Sequence, residues 1–377
     1  MLFSEQLYDT YNNYKEKSLF HRRFKHKDIL PLIKKRNPNV FKITEIGKSF
    51  EGREIFMLRI GTGKTKIMLW SQMHGDESTA TATLFDIFNF FENPGNFKKE
   101  IQQILNSCTL YFIPMLNPDG AERFQRQNAQ AIDINRDALR LESPEGRFLM
   151  NLRDEIKPEF GFNLHDQDVW YSAGDTKFPA TLSFLAPAFD KENTINKSRK
   201  KSMLLIAEMN KILQNFIPNQ IGRYFDDFMP TAFGDNIQKK GTSTILTESG
   251  GFADDTERQF VRKLNFIAIL SAFYSISTNS YQKNKISDYE NIPFNKKNKL
   301  FDYIIRNVSI LRNRKKYRAD IGIRNKALSE KDIFEIAEIG DLSQNFAYFE
   351  LDMNGIEIDS INIGDNAKTL IRKFFLK

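Results

Sequence analysis

His74-Gly75-Asp76-Glu77 places an imidazole and a carboxylate three residues apart, where an apolar run ending at His74 turns into polar residues. From such a strand-to-helix turn both side chains can reach one metal ion, and zinc takes imidazole nitrogen and carboxylate oxygen readily. The spacing alone is also that of many surface loops. His165 adds to it. In Phe160-Gly161-Phe162-Asn163-Leu164-His165 the large apolar side chains alternate onto one face, so His165 points to the other, beside Asn163. Read alone, His165 is equally a satisfied core histidine. Read with His74 and Glu77, it completes a set of two histidines and one carboxylate, the number of protein ligands that a catalytic zinc site carries. The chain has 4 histidines and 1 cysteine, Cys108. An intramolecular disulfide and a cysteine-based zinc site are therefore excluded. The other two histidines, His21 and His26 in FHRRFKHKD, read as surface residues.

These residues need elements to hold them. The first forty residues read as two helices, with Leu7, Tyr11, Tyr14 and Leu19 along one face of the first and Ile29, Leu30 and Ile33 on the second. FKITEIG and EIFMLRIG read as a β-hairpin with Gly52 near its turn. Buried strands are expected at 66–74, 109–116, FGFNLH, TLSFLAP and 242–249, with helices at 76–92, 97–107, 144–156, 192–216 and 255–277. Apolar strands alternating with amphipathic helices imply an α/β fold of three layers, α/β/α, with a mixed, largely parallel central sheet. Ligands in such sheets bind beyond the carboxyl ends of the strands. His74, Asn117, His165 and Glu248 each stand at or just past such an end.

Further along, Asn117-Pro118-Asp119-Gly120, then FQRQNAQAIDINRD (124–137) and TESGG (247–251) extend the pattern. In this ordered set, over roughly residues 40–277, the chain resembles the zinc carboxypeptidases of the funnelin group, related to digestive carboxypeptidase A, with the flavour of a bacterial subgroup. The resemblance implies that His74, Glu77 and His165 hold one zinc ion and that Asp133 orients His74. It implies that Asn135 and Arg136 grip a terminal carboxylate, for which a planar guanidinium is suited. Arg126 would polarise the scissile carbonyl, and Glu248 would act as general base and acid. A mobile substrate-capping tyrosine is expected upstream of the glutamate, where Tyr224 stands. Side-chain preference is expected near Gly234-Asp235-Asn236: Asp235 either favours a basic or diaminopimelate-like side chain or forms a turn. Asp137, where many relatives have Asn, either alters the carboxylate pocket or hydrogen-bonds its own loop. The implied activity is hydrolysis of a C-terminal peptide bond, on a peptide or peptidoglycan fragment with a free carboxylate. The alternatives are an N-acyl amino acid deacylase of the related succinylglutamate desuccinylase and aspartoacylase group, and an inactive binding module.

The 377 residues suggest a large domain with an appendage, expected as a catalytic domain at 1–280 (residues 1–38 packed on it), a basic linker or helix at 281–316 and a small β-rich module at 317–377. The net charge of +7 is local. Residues 283–318 hold 11 Lys/Arg against 3 Asp/Glu, a balance of 11 − 3 = +8, so the rest sums to −1. That concentration reads as a solvated segment, and no nucleic-acid partner is expected. The first residues lack the apolar core of a signal peptide, and no run approaches a membrane span. The expectation is a cytoplasmic protein. GTGK at 61–64 lacks the spacing of a phosphate loop.

Overall fold

The computed structural model describes residues 2–325, 333–358 and 367–375. The chain divides into two units, Met1–Gln167 with Thr181–Phe294, and Asp168–Ala180 with Asn295–Lys377.

The first unit is built on eight strands: β1 (Lys42–Lys48), β2 (Glu54–Ile60), β3 (Thr65–Ser71), β4 (Cys108–Ile113), β5 (Phe160–Asp166), β7 (Leu182–Leu185), β8 (Ile221–Arg223) and β9 (Ser243–Ser249), with β6 (Ser172–Ala173) belonging to the other unit. Their order is β1-β2-β4-β3-β5-β9-β7-β8. The central ladders β4–β3, β3–β5 and β5–β9 are parallel, as is β7–β8 at one edge, while β1–β2, β2–β4 and β9–β7 are antiparallel. The sheet is thus mixed, with a parallel centre, as the sequence pattern implied. Every residue of β4 and β5 is buried, which is why these strands read as continuous apolar runs rather than alternating ones.

Helices cover both faces. Phe160, Phe162 and Leu164 of β5 join a large core with residues of α1 (Phe3–Thr10), α2 (His26–Lys34), α3 (Thr79–Glu92), α4 (Lys98–Ser107), α7 (Lys197–Leu213) and α9 (Gln259–Thr278). Met68, Trp70, Tyr111 and Ile113 face the other way, onto α6 (Pro144–Ile156) and α8 (Phe233–Lys239). The short α5 (Pro118–Arg123) lies in the NPDG segment. Local chemistry starts these helices. Asn117 accepts from the Gly120 N–H and Ser143 from the Gly146 N–H, each followed by Pro at the first helical position. α9 is long and apolar enough to cross a membrane by composition, but it is mostly buried inside this core.

The N-terminal segment is held by a buried ion pair. Asp86 on α3 and Arg262 on α9, both almost fully buried, are salt-bridged. Tyr11 Oη donates to Asp86 at 2.9 Å and the Glu16 N–H donates at 2.7 Å, while Arg262 donates to the carbonyls of Leu19 and Glu16. Burial pushes the Asp86 carboxyl above its ordinary pKa, against the pull of Arg262.

The second unit corrects the expected boundaries. Residues 281–316 are not a linker. Residues 280–283 form a 3₁₀ turn, and α10 (Ile286–Glu290) packs on α7 within the first unit. From Asn295 the chain enters the second unit, where β10 (Asn295–Lys296) pairs with β6. β11 (Leu300–Arg312) is a central strand of a sheet ordered β13-β12-β11-β14, with β12 (Lys315–Asn325), β13 (Phe334–Gly340), β14 (Phe346–Asp352) and β15 (Glu357–Ile358), the last pairing with β11. The β module therefore begins near residue 295 and takes in 168–180. Leu300, Phe301, Ile304, Ile305, Val308 and Ile310 are buried, an apolar pattern that the flanking lysines and arginines obscured. Arg306 pairs with Asp320 and Glu350, and the charges at 312–318 are exposed about a two-residue turn with Asn313 and Arg314 both at positive φ. α11 (Ala367–Phe374) packs on β13.

Breaking the buried pair leaves Arg262 without its charge partner. Asp86→Ala is expected to destabilise the chain by about 3–5 kcal/mol, with part recovered in Asp86→Ala/Arg262→Met. Urea unfolding of the parent and the two variants measures both values.

Candidate metal and catalytic site

Sheet register brings the site together. On β5, Asn163 and His165 project to the face opposite Phe162 and Leu164. β9 runs parallel to β5 with Glu248 directly paired to His165, and on its other side β7 pairs Ser183 to Glu248. His74 and Glu77 lie in the loop between β3 and α3. That loop crosses close over the start of α5: a Cβ on Gly75 would meet the Gly120 backbone at 2.0 Å, so only glycine permits the crossing. Asn117 Nδ2 donates to the Met73 carbonyl at 3.1 Å and fixes the two loops together.

Within this frame His74 Nδ1 lies 2.7 Å from Glu77 Oε1, His165 Nδ1 lies 2.7 Å from Glu77 Oε2, and the two imidazole nitrogens face each other at 3.2 Å. All three residues are buried. Their candidate ligand atoms lie within 4.8 Å of one another. The arrangement fits a metal ion on its own chemistry. Two nitrogens and a carboxylate oxygen are donors that zinc accepts. Zinc–nitrogen bonds of about 2.0–2.1 Å in tetrahedral geometry bring two imidazole nitrogens to roughly the separation seen here. A cation among them also balances the Glu77 charge in a buried setting.

The surrounding residues orient this set. Asp133 Oδ1 lies 3.1 Å from His74 Nε2 and accepts from the Asn135 N–H at 2.9 Å, while its Oδ2 accepts from Arg126 Nε at 2.9 Å. One carboxylate thus fixes the ring of His74, the side chain of Arg126 and the turn that carries Asn135. The Asp166 N–H donates to Glu77 Oε2 at 3.3 Å. His165 Nε2 has no hydrogen-bond partner among the described residues.

Charges follow from these contacts. Burial lowers the His74 pKa, but Glu77 and Asp133 outweigh it and raise it to about 9. Burial raises the Glu77 pKa, and the two imidazoles more than reverse this, holding it well below the carboxylate range. His165 is pulled below its ordinary value by burial. Burial, with the nearby charge of Glu77, drives the Glu248 carboxyl well above the usual range. Its Oε2 is buried without a hydrogen-bond partner among the described residues.

The remaining residues named from sequence divide. Arg126 joins the cluster, with Nη1 3.2 Å from His74 Nδ1 and 3.5 Å from Glu77 Oε1. Asn135 is buried and accepts from the Phe233 N–H at 3.0 Å, tying its turn to the start of α8. Arg136 is exposed and donates to the Asn135 carbonyl. Asp137 accepts from the Glu142 and Ser143 N–H groups and from Ser143 Oγ, so it bonds its own loop. Asp235 sits in the first turn of α8 and accepts from the Met229 N–H at 2.8 Å, a loop-forming bond, while burial pushes its pKa to about 6. Tyr224 donates to Gln167 Oε1 at 2.9 Å, two residues beyond His165. His26 is buried, against expectation: its Nε2 contacts the Glu54 carbonyl at 2.8 Å. Residues that sequence reasoning missed include Gln72, at φ +50° where β3 leaves the sheet, and Asp166, whose carboxylate meets Thr79, Arg22 and Arg258. Nothing in the sequence distinguished them from ordinary loop residues.

Residues 27–177 match the sequence model of the zinc carboxypeptidase family. Through this segment the chain is similar to the zinc carboxypeptidase family. The matched segment contains His74, Glu77, Arg126, Asp133, Asn135, Arg136 and His165, while Glu248 lies beyond it. Carboxypeptidase E of Caenorhabditis elegans is 32% identical over 131 residues, covering 29% of this chain and 28% of that protein. Carboxypeptidase SOL1 of Arabidopsis thaliana is 28% identical over 149 residues, covering 35% and 30%. The chain thus spans less than a third of the length of these relatives. A metallo-carboxypeptidase from Burkholderia cenocepacia has the same fold, with a TM-score of 0.55 at 17% identity over 68% of this chain and 69% of that one. Bovine thrombin-activatable fibrinolysis inhibitor gives 0.54 at 16%, over 70% and 98%. The zinc that the family's name specifies agrees with the donor set at His74, Glu77 and His165.

Loss of the carboxylate behind a metal-bound histidine weakens metal binding about 10–100-fold. Asp133→Ala is expected to weaken zinc binding to that extent, and His165→Ala to abolish stoichiometric binding. Competition with a chromogenic chelator measures both.

Proposed function

We propose that the chain is a zinc-dependent carboxypeptidase that hydrolyses the C-terminal bond of a peptide with a free carboxylate. The observation that carries the reading is the juxtaposition of a His74–Glu77–His165 ligand set with Glu248, one strand away from His165 at the carboxyl end of the sheet. The family match over residues 27–177 supports it.

Bound zinc supplies Lewis acidity to the substrate carbonyl and to water. The work of the chain's own residues follows from their placement. Glu248 takes a proton from the attacking water at its unpartnered Oε2 and returns it to the leaving amine, so one carboxyl serves as base and then acid. Burial and the nearby charge of Glu77 raise its pKa, which favours taking up that proton. Arg126, anchored through Nε to Asp133, keeps Nη1 at the cluster and offers positive charge to the carbonyl oxygen as it becomes anionic. Arg136, exposed beside the buried Asn135, grips the terminal carboxylate, with Asn135 held still by the Phe233 N–H. Asp133 touches no substrate in this scheme: it positions His74 and Arg126 together.

Two variants separate these roles. Glu248→Gln should keep one equivalent of zinc and lose at least about 10²-fold in kcat on a peptide whose released residue is quantified by mass spectrometry. Undiminished turnover would remove Glu248 from the mechanism. Arg136→Met should raise KM about tenfold or more on free-carboxylate peptides, from the loss of a charge-assisted bond, and have little effect on C-terminally amidated ones. An equal effect on both would place the carboxylate elsewhere.

A further inference from the structure

Arg258 stands just before α9, ten residues beyond Glu248, with φ +51° and ψ +33°, a left-handed conformation that is uncommon for a residue with a side chain. It does not cap the helix. Asp255 does, accepting from the N–H groups of Gln259, Phe260 and Val261. The strained backbone instead drives the guanidinium inward, and Arg258 is only 5% exposed.

There it touches the two strands that carry the chemistry. Nη2 donates to the Gln167 carbonyl at 2.8 Å, two residues past His165 on the β5 side. Nη1 donates to the Ser249 carbonyl, one residue past Glu248 on β9. The same Nη1 lies 3.4 Å from Asp166 Oδ2. The Gln167 N–H donates to the Ser249 carbonyl at 2.9 Å, so the arginine closes over the last rung of the β5–β9 ladder. A planar fork is the side chain that can span two carbonyls and a carboxylate at once.

We infer that Arg258 is a positioning residue: its guanidinium ties the backbone just past His165 to the backbone just past Glu248 and holds metal ligand and proton acceptor in register. The inference rests on the hydrolytic reading for the roles of those two residues, but the tie itself is a property of the chain. Without it the last rung frays, as strand ends do when their closing contacts are lost. Glu248 is then displaced relative to His165, and misplacement of about 1 Å at a reacting group costs on the order of 10²-fold in rate.

The test uses the full chain with zinc, comparing Arg258→Lys, Arg258→Met and Arg258→Ala with the parent. Amide hydrogen exchange is read at Gln167, Ser249 and Gly250, alongside zinc stoichiometry, kcat and KM. The expected result is faster exchange at those amides by about tenfold or more, with α3 and β4 unchanged, as for local opening. Zinc should stay at one equivalent, KM within about twofold and kcat should fall on the order of 10²-fold. Lysine should not restore kcat, and guanidinium ion added to Arg258→Ala should restore part of it. Unchanged exchange at the three amides would overturn the inference, as would a rise spread equally over the whole first unit. If the parent itself released no amino acid, the functional reading would fail while the exchange data still decided the tie.

Discussion

The site depends on one carboxylate held between two imidazoles. Glu77 meets His74 Nδ1 and His165 Nδ1, each at 2.7 Å, in a setting where none of the three is exposed. A negative charge in that position is costly unless it is paired, and the imidazoles that pair with it converge on a common point. Convergence of that kind requires that the loop after β3 and the end of β5 cannot drift apart. Much of the first unit serves that requirement: the parallel β3–β5–β9 ladders, the close crossing of Gly75 over Gly120, and the bond from Asn117 to the Met73 carbonyl.

Around that centre, single residues hold several partners in place. Asp133 reaches His74, Arg126 and the Asn135 backbone from one side of the loop. Arg258 and Asp166 do the equivalent on the opposite face of the β5–β9 pair, together with Thr79 and Arg22. Arg22 also ties the N-terminal segment to this region, since its N–H donates to Glu257 and its carbonyl accepts from Ser78 Oγ. The Asp86–Arg262 pair anchors the same segment further back. The N-terminal residues are therefore part of the frame behind the site.

The sequence made much of this legible, and the reasons are physical. Strands buried on both faces, such as β4 and β5, leave continuous apolar runs, and the alternation in FGFNLH placed His165 opposite the aromatic side chains. Ligand types and strand-end positions then named the metal site. What stayed hidden was of two kinds. Charge at the hairpin tip masked β11, because the lysines and arginines at 312–318 outweigh the apolar alternation of 300–310 in any window that spans both. Long-range polar contacts were hidden as well. Arg258 in TERQF and Asp86 in LFDIF are ordinary local sequence, and their partners lie far along the chain. Asp235 and Asp137 were open choices that only their hydrogen bonds resolve toward loop formation.

The central claim is that His74, Glu77 and His165 hold one zinc ion together. Anomalous diffraction on crystals of the full chain grown with one equivalent of zinc, collected on both sides of the zinc absorption edge, tests it most directly. The account predicts a single strong edge-dependent peak among His74 Nδ1, His165 Nδ1 and the Glu77 carboxylate. Density without an edge-dependent peak there, with the two imidazoles still bonded directly to Glu77, would contradict it.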